Sequence, residues 1–248
     1  MRRLLPLPCR DGVDVDDAYW VADPGSQHVR GVMVASVDGA AQRDGRSGGL
    51  SGSADTTLFA LLRGHADVLL VGATTVRVEG YGGEKPSVER RAWRRARGLS
   101  EVPPIAVVSR SAVLDSGSAL FADTEARPIV IVPGETPAGR RRELARRADV
   151  IVAGESDVDL AAALDALAER GLRRVSCEGG PRLLSGIAAC GRLDELCLTV
   201  SPAVLGGPAT RILDGPFLDS PLGLRLVHIL EDDGAVFLRY DLTDLSAL

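Results

Sequence analysis

Four stretches of this chain place glycines, hydroxyls and carboxylates at the ends of strands, where open sheets meet ligands. Arg174-Val175-Ser176-Cys177 reads as a short strand and Glu178-Gly179-Gly180 as a break. Pro181 then opens a helical segment that runs to Cys190 and stops at Gly191. Proline fits the first helical turn because its missing N–H has no intrahelical partner there. The two glycines let the backbone turn sharply and approach a ligand. The free N–H groups and the positive end of the helix dipole favour a phosphate. Glu178 stands at the mouth of this turn, where a carboxylate can accept from the N–H edge of a polar heterocycle. The same residues also fit a tight connection with a surface glutamate, so the neighbouring junctions must decide.

Gly72-Ala73-Thr74-Thr75 repeats the pattern after the strand Asp67–Val71. Its backbone N–H groups and hydroxyls suit phosphate or ribose oxygens; two threonines that only cap a helix are the plainer alternative. Ser109-Arg110 ends the strand beginning at Ile105, and Asp38-Gly39 ends Val29–Val37. Asp38 is a candidate for proton handling or for contact with a heterocycle, against a simple Asp-Gly turn. Two glycine-plus-helix turns with a hydroxyl at a third strand end suit a ligand carrying several phosphates. The chain has no GxxxxGK[ST], GxGxxG or GxSxG motif. Its three histidines, His28, His65 and His228, form no HExxH-like cluster. Hydrolase and metal chemistry therefore have little support. His65 follows a helix and precedes a strand, and reads as a surface or capping residue.

The elements that must position these junctions alternate. After an arm over residues 1–26 come the strand Val29–Val37, a Gly/Ser/Arg-rich loop to Gly52, and a helix through Arg63 with Ser53 as its cap. Val88–Arg97 reads as a basic, solvated helix. The strands Ile129–Val132 and Val150–Val152 flank an arginine-rich helix over Gly139–Ala148, and an alanine-leucine helix covers Leu160–Arg170. Glu195–Val200 is a further strand, and Leu224–Glu231 pairs with Ala235–Leu242 across Asp232-Asp233-Gly234. Continuous apolar strands alternating with helices predict one α/β domain over residues 1–248. Its mixed, mostly parallel sheet carries helices on both faces and ends in an antiparallel hairpin.

Composition sets the outer bounds. The chain has 248 residues, 45% of them hydrophobic and 25% charged, enough for a sizeable core. A net charge of −5 argues against bulk nucleic-acid affinity, although Lys85 is the only lysine among many arginines. The four cysteines, Cys9, Cys177, Cys190 and Cys197, make no Cys-x-x-Cys pair, and Cys177 and Cys197 lie in apolar runs as buried free thiols. A reducing cytoplasm fits, and no run of about 18 apolar residues predicts a membrane span.

The ordered motifs VASVDGAA, SGSADTTLFALLRGHADVLLVGATTV, PIAVVSR and CEGGPRLLSGIAACGRLDELCLTVSPAVLGG resemble the reductase domain of the riboflavin-biosynthesis deaminase/reductase, from about Val29 to Tyr240. The resemblance implies a dihydrofolate-reductase-like fold, a homodimer, and NADPH lying across the strand ends. Its phosphates would sit on the turn at Gly179, Gly180, Pro181, Arg182 and Leu183. Thr75, Glu79 and Ser109 would belong to the cofactor side, with Gly72 and Thr74 beside them. Ser47, Arg63 and Glu178 would belong to the substrate side, with Arg63 meeting a substrate anion. Hydride would pass to a ribosylamino-pyrimidine and open its sugar to a ribitol. The zinc motifs of the deaminase half do not occur, so reductase chemistry alone is implied. The chain departs from the family at Gly80-Tyr81-Gly82-Gly83, where a second acid and a substrate arginine are usual. The substrate thus stays open between the pyrimidine and a pterin such as dihydrofolate. A non-catalytic protein that binds NADPH is a third reading.

Overall fold

The computed structural model describes residues 1–216 and 218–243. Its chain order begins with β1 (Arg2–Leu5), β2 (Arg10–Asp11), α1 (Val15–Tyr19), β3 (His28–Ser36), α2 (Ser53–His65), β4 (Val68–Gly72), α3 (Ala73–Glu79) and α4 (Val88–Arg95). There follow β5 (Ile105–Val108), α5 (Ala119–Ala122), β6 (Ile129–Val132), α6 (Ala138–Leu144), β7 (Asp149–Val152) and α7 (Leu160–Ala168). The last elements are β8 (Arg174–Cys177), α8 (Pro181–Ala189), β9 (Glu195–Ser201), β10 (Gly223–Asp232) and β11 (Ala235–Thr243).

All the strands join one sheet in the order β2-β1-β10-β11-β9-β3-β8-β4-β5-β6-β7. From β9 to β7 the pairs are parallel, and from β9 outward through β11, β10, β1 and β2 they are antiparallel. Strands such as VLLVG and IVIV are apolar at successive positions because helices cover both faces. Leu70, Ile129 and Ile131 pack with Leu164 and Leu167 of α7 and Leu184 and Ile187 of α8. Leu69, Val71, Val130 and Val132 face the other way, onto Val76 of α3, Leu120 of α5 and Leu144 of α6. A third cluster joins Tyr19 of α1 and Leu58 and Leu62 of α2 to Leu230 and Phe237 of the hairpin. A side chain at Gly31 would put its Cβ 2.8 Å from Leu184 Cδ1, so glycine there lets α8 lie close against β3. No helix among the described residues is long and apolar enough to cross a membrane.

The mixed sheet, the helices on both faces and the terminal hairpin agree with the sequence-based expectation. Four details differ. The expected arm contains β1, β2 and α1, and β1 pairs with β10, more than two hundred residues away, which no local pattern announces. The cap of α2 is Gly52, with Ser53 already helical. Arg94, on the helix expected to be solvated, is 0% exposed and donates to the carbonyls of Gly64, Ala66 and Ser100. His65 is buried: its Nε2 meets Asp16 at 2.7 Å and its ring stacks on Trp93 at 4.8 Å.

Candidate functional site

β8 lies between β3 and β4, so the turn that follows it opens among the carboxyl ends of central parallel strands. Glu178 N donates to Leu70 O at 2.9 Å and Gly72 N to Gly179 O at 2.7 Å, which ties the two glycine-bearing junctions together. Gly179 has φ +82°, a conformation that favours glycine, and the Gly179–Gly180 peptide is cis. Gly180 caps α8 and Pro181 is its first residue. The first bond inside the helix runs from Leu184 N to Gly180 O at 3.2 Å, so the N–H groups of Arg182 and Leu183 have no partner within it. A Cβ at Gly180 would come 2.8 Å from Thr75 Oγ1, so the bare backbone of one junction faces the hydroxyl of the other.

Above these ends lies a cleft of about 490 Å³, a size that suits a small organic ligand. Gly180 and Pro181 form one part of its wall, Thr74, Thr75 and Glu79 of α3 another, and Ser47, Arg63, Tyr81 and Glu178 a third. Val32, Met33 and Phe59 supply apolar surface.

Glu178 is the best-held group in the cleft. Its Oε1 accepts from Arg63 Nε at 2.7 Å, and its Oε2 accepts from Arg63 Nη2 at 2.6 Å and from the Tyr81 hydroxyl at 2.7 Å. Arg63 also donates from Nη1 to Glu84 at 2.5 Å. Burial opposes the charge on Arg63, but Glu178, Tyr81 and Glu84 together outweigh it and raise the guanidinium above its ordinary value. Burial, reinforced by Glu178, raises the Tyr81 phenol well above its ordinary value, so Tyr81 stays a donor.

The other expected residues fall into four groups. Ser47 and Glu79 come together: Glu79 Oε1 accepts from Ser47 N at 2.8 Å and from Ser47 Oγ at 3.1 Å, pinning the loop before α2 to α3. Thr74 accepts from Arg77 Nη2 at 3.1 Å. Ser109 is buried with its hydroxyl unpartnered, at the carboxyl end of β5 beside β4. Leu183 belongs to the core and the Arg182 side chain is 90% exposed, so these two offer the cleft only backbone.

Two placements depart from the expected roles. Asp38 does not line the cleft; its carboxylate takes hydrogen bonds from Ser36 Oγ at 2.5 Å, Gly206 N at 2.6 Å and Leu205 N at 3.1 Å. Those donors lower its pKa to about 2, Ser36 first, and make it a brace between two loops. Arg63 reaches the cleft, but three of its donors are already spent on carboxylates, which leaves little for a substrate anion. Sequence reasoning missed Tyr81 and Glu84. The available signal was two polar side chains in the glycine-rich run Gly80-Tyr81-Gly82-Gly83-Glu84.

A profile of the RibD C-terminal domain family matches residues 27–238. The 2,5-diamino-6-ribosylamino-4(3H)-pyrimidinone 5′-phosphate reductase of Archaeoglobus fulgidus is 29% identical over 211 residues, 84% of this chain and 96% of that protein. The reductase of the same name from Methanothermobacter thermautotrophicus is 30% identical over 171 residues, 68% of this chain and 76% of that protein. A solved pyrimidine reductase-like protein from Corynebacterium diphtheriae superposes with a TM-score of 0.81 at 28% identity, covering 93% of this chain and 99% of the other. Matched along most of its length by proteins named as reductases, the chain is an oxidoreductase, and it belongs to the RibD C-terminal domain family.

Proposed function

We propose that this protein reduces a ribosylamino-pyrimidine 5′-phosphate with NADPH, opening the sugar to a ribitol. The observation that carries the reading is that one turn supplies both a helix start with free N–H groups and, two residues before its cap, a buried carboxylate acceptor. Both face the same cleft. The residues fit the cofactor. Glycine backbone at Gly72, Gly179 and Gly180 would admit a pyrophosphate, and the free N–H groups of Arg182 and Leu183 would hold it. Thr74, Thr75 and the unpartnered hydroxyl of Ser109 would add donors along its length. NADPH supplies the hydride.

The chain's own residues do the positioning. Glu178, fixed by Arg63 and Tyr81, accepts from the N–H edge of the ring and sets its plane. Glu79 holds the Ser47 loop over the cleft. Val32, Met33 and Phe59 keep water from the reacting atoms. Asp38 takes no part in this scheme. The reading includes a homodimer, as the resemblance implies, and a cytoplasmic location, as the free cysteines suggest.

Loss of NADPH absorbance on adding the pyrimidine substrate tests the reading, with dihydrofolate as the competing substrate. Turnover of the pyrimidine at least tenfold faster than of dihydrofolate is expected, a difference of about 1.4 kcal/mol in transition-state binding. No turnover of either, with NADPH bound, makes the protein a nucleotide-binding one. NADPH is also expected to raise the melting temperature more than NADH does, by mass action on a site that holds the extra phosphate.

A further inference from the structure

The Glu178 end of the cleft has a charge pattern that the expected residue roles do not explain. Arg63 lies between two carboxylates, with Nε and Nη2 on Glu178 and Nη1 on Glu84. Aromatic rings flank it, Phe59 at 4.3 Å and Tyr81 at 5.1 Å from the guanidinium carbon to the ring centres. Two carboxylates against one guanidinium leave this end with an excess negative charge, which repels a phosphate and attracts hydrogen-bond donors. Of Glu178's oxygens, Oε2 already takes two donors and Oε1 takes one, so free acceptor capacity remains for a ligand N–H.

The segment that brings in Tyr81 and Glu84 is held along its length. Gly80 ends α3 with φ +71°, and Tyr81 N donates to Val76 O at 3.1 Å. Gly83 N donates to Asp123 O at 3.1 Å, and a Cβ on Gly83 would come 2.5 Å from Thr124 Cα. Only glycine allows the chain to pass this close, so the run Gly82-Gly83 is what delivers Glu84 to Arg63.

Building on the proposed function, we infer that Tyr81 and Glu84 set the substrate specificity of this end of the cleft. Glu84 turns Arg63 from an anion holder into a carboxylate holder. Tyr81 and Arg63 then orient Glu178, which takes a planar ring with adjacent N–H donors, such as an aminopyrimidine edge. The substrate's phosphate lies elsewhere in the cleft.

The test uses Tyr81→Phe and Glu84→Gln, with 2,4-diaminopyrimidine as the ring probe by calorimetry and inorganic phosphate as the anion probe by inhibition of pyrimidine turnover. Tyr81→Phe keeps the ring against Arg63 and removes only the hydroxyl. It is expected to weaken 2,4-diaminopyrimidine binding roughly tenfold, the worth of one bond to a charged group. The KM for the pyrimidine substrate should rise by a similar factor, with kcat changed less than about threefold. A merely structural role would lower the melting temperature without that split. Glu84→Gln is expected to make inorganic phosphate a competitive inhibitor at least about tenfold stronger than against the parent.

Parent-like probe binding in Tyr81→Phe, parent-like phosphate inhibition in Glu84→Gln, or a parent that does not bind the ring probe each overturns the inference. Tyr81-dependent probe binding in a parent that reduces no pyrimidine would overturn the proposed function and leave this inference standing. Full pyrimidine turnover with Tyr81→Phe kinetics like the parent's would do the reverse.

Discussion

Glu178→Gln removes one charge from a carboxylate that accepts three hydrogen bonds, all between 2.6 and 2.7 Å, from Arg63 and Tyr81. A glutamine whose carbonyl takes the Oε2 position keeps Arg63 Nη2 and Tyr81 as donors. Its amide then faces the Arg63 Nε–H, donor against donor, across what was a 2.7 Å bond. A hydrogen bond to a charged group contributes about 1.5–3 kcal/mol, so losing one and weakening two costs about 2–3 kcal/mol. Glu84 still pairs with Nη1, so the guanidinium is not left as an unpaired buried charge, the case that costs about 3–5 kcal/mol. In a chain of this size each kcal/mol moves the melting temperature by about 2–4 °C, so a fall of about 4–12 °C is expected. The ring edge loses a charged acceptor at the same time, so kcat/KM should drop about 10–100-fold. NADPH affinity, carried by backbone and threonine donors, should stay within about twofold. Thermal melts, steady-state kinetics and NADPH titration of parent and variant measure all three. A melting temperature within about a degree of the parent's, with turnover unchanged, would show that Glu178 is a turn residue and refute the reasoning.

Gly180→Val places a branched side chain where a Cβ alone would lie 2.8 Å from Thr75 Oγ1. NADPH affinity should fall at least about tenfold in a folded protein, and an unchanged Kd would remove the cofactor from this turn. Stability should also fall on acidification. Burial holds both His65 and His228 down at about 4, and His65 Nδ1 is buried without a partner. Because these pKa values are depressed in the folded state, the unfolded chain takes up protons first. Their stability contribution is full above about pH 6.5 and is lost progressively toward about pH 4. Melting temperatures measured from about pH 7 to about pH 5 should therefore decline, and a flat profile would show that these histidines take up protons as readily in the folded protein as in the unfolded chain.

Much of the architecture was legible because its signals are local. Ile129–Val132, an apolar run between Pro128 and Pro133, and Arg174–Cys177, the short run before the Glu178-Gly179-Gly180 break, are strands with the expected bounds. The hairpin followed from Asp232-Asp233-Gly234, where Asp233 and Gly234 both have positive φ, at +51° and +77°, the turn that matches the strands' twist. The start of α8 at Pro181, and with it the Glu178-Gly179-Gly180 turn, was equally readable from residues next to one another.

What the sequence could not settle is what each polar side chain meets. Arg63 and Glu178 were both singled out, but that they bind each other depends on β8 inserting between β3 and β4, which brings together residues 115 apart. Tyr81 looked like part of a gap in a family pattern until the fold carried it to a carboxylate 97 residues away. Arg94 sits in an arginine-rich helix that reads as solvated, but three backbone carbonyls from other segments converge on it. Asp38 looked like a candidate acid, but the backbone N–H groups of Leu205 and Gly206 already occupy its carboxylate. Residue type and spacing determine which elements form and which groups are chemically able. The order of strands in the sheet decides which of those groups are already paired, because a buried donor or charge must find its partner across the fold.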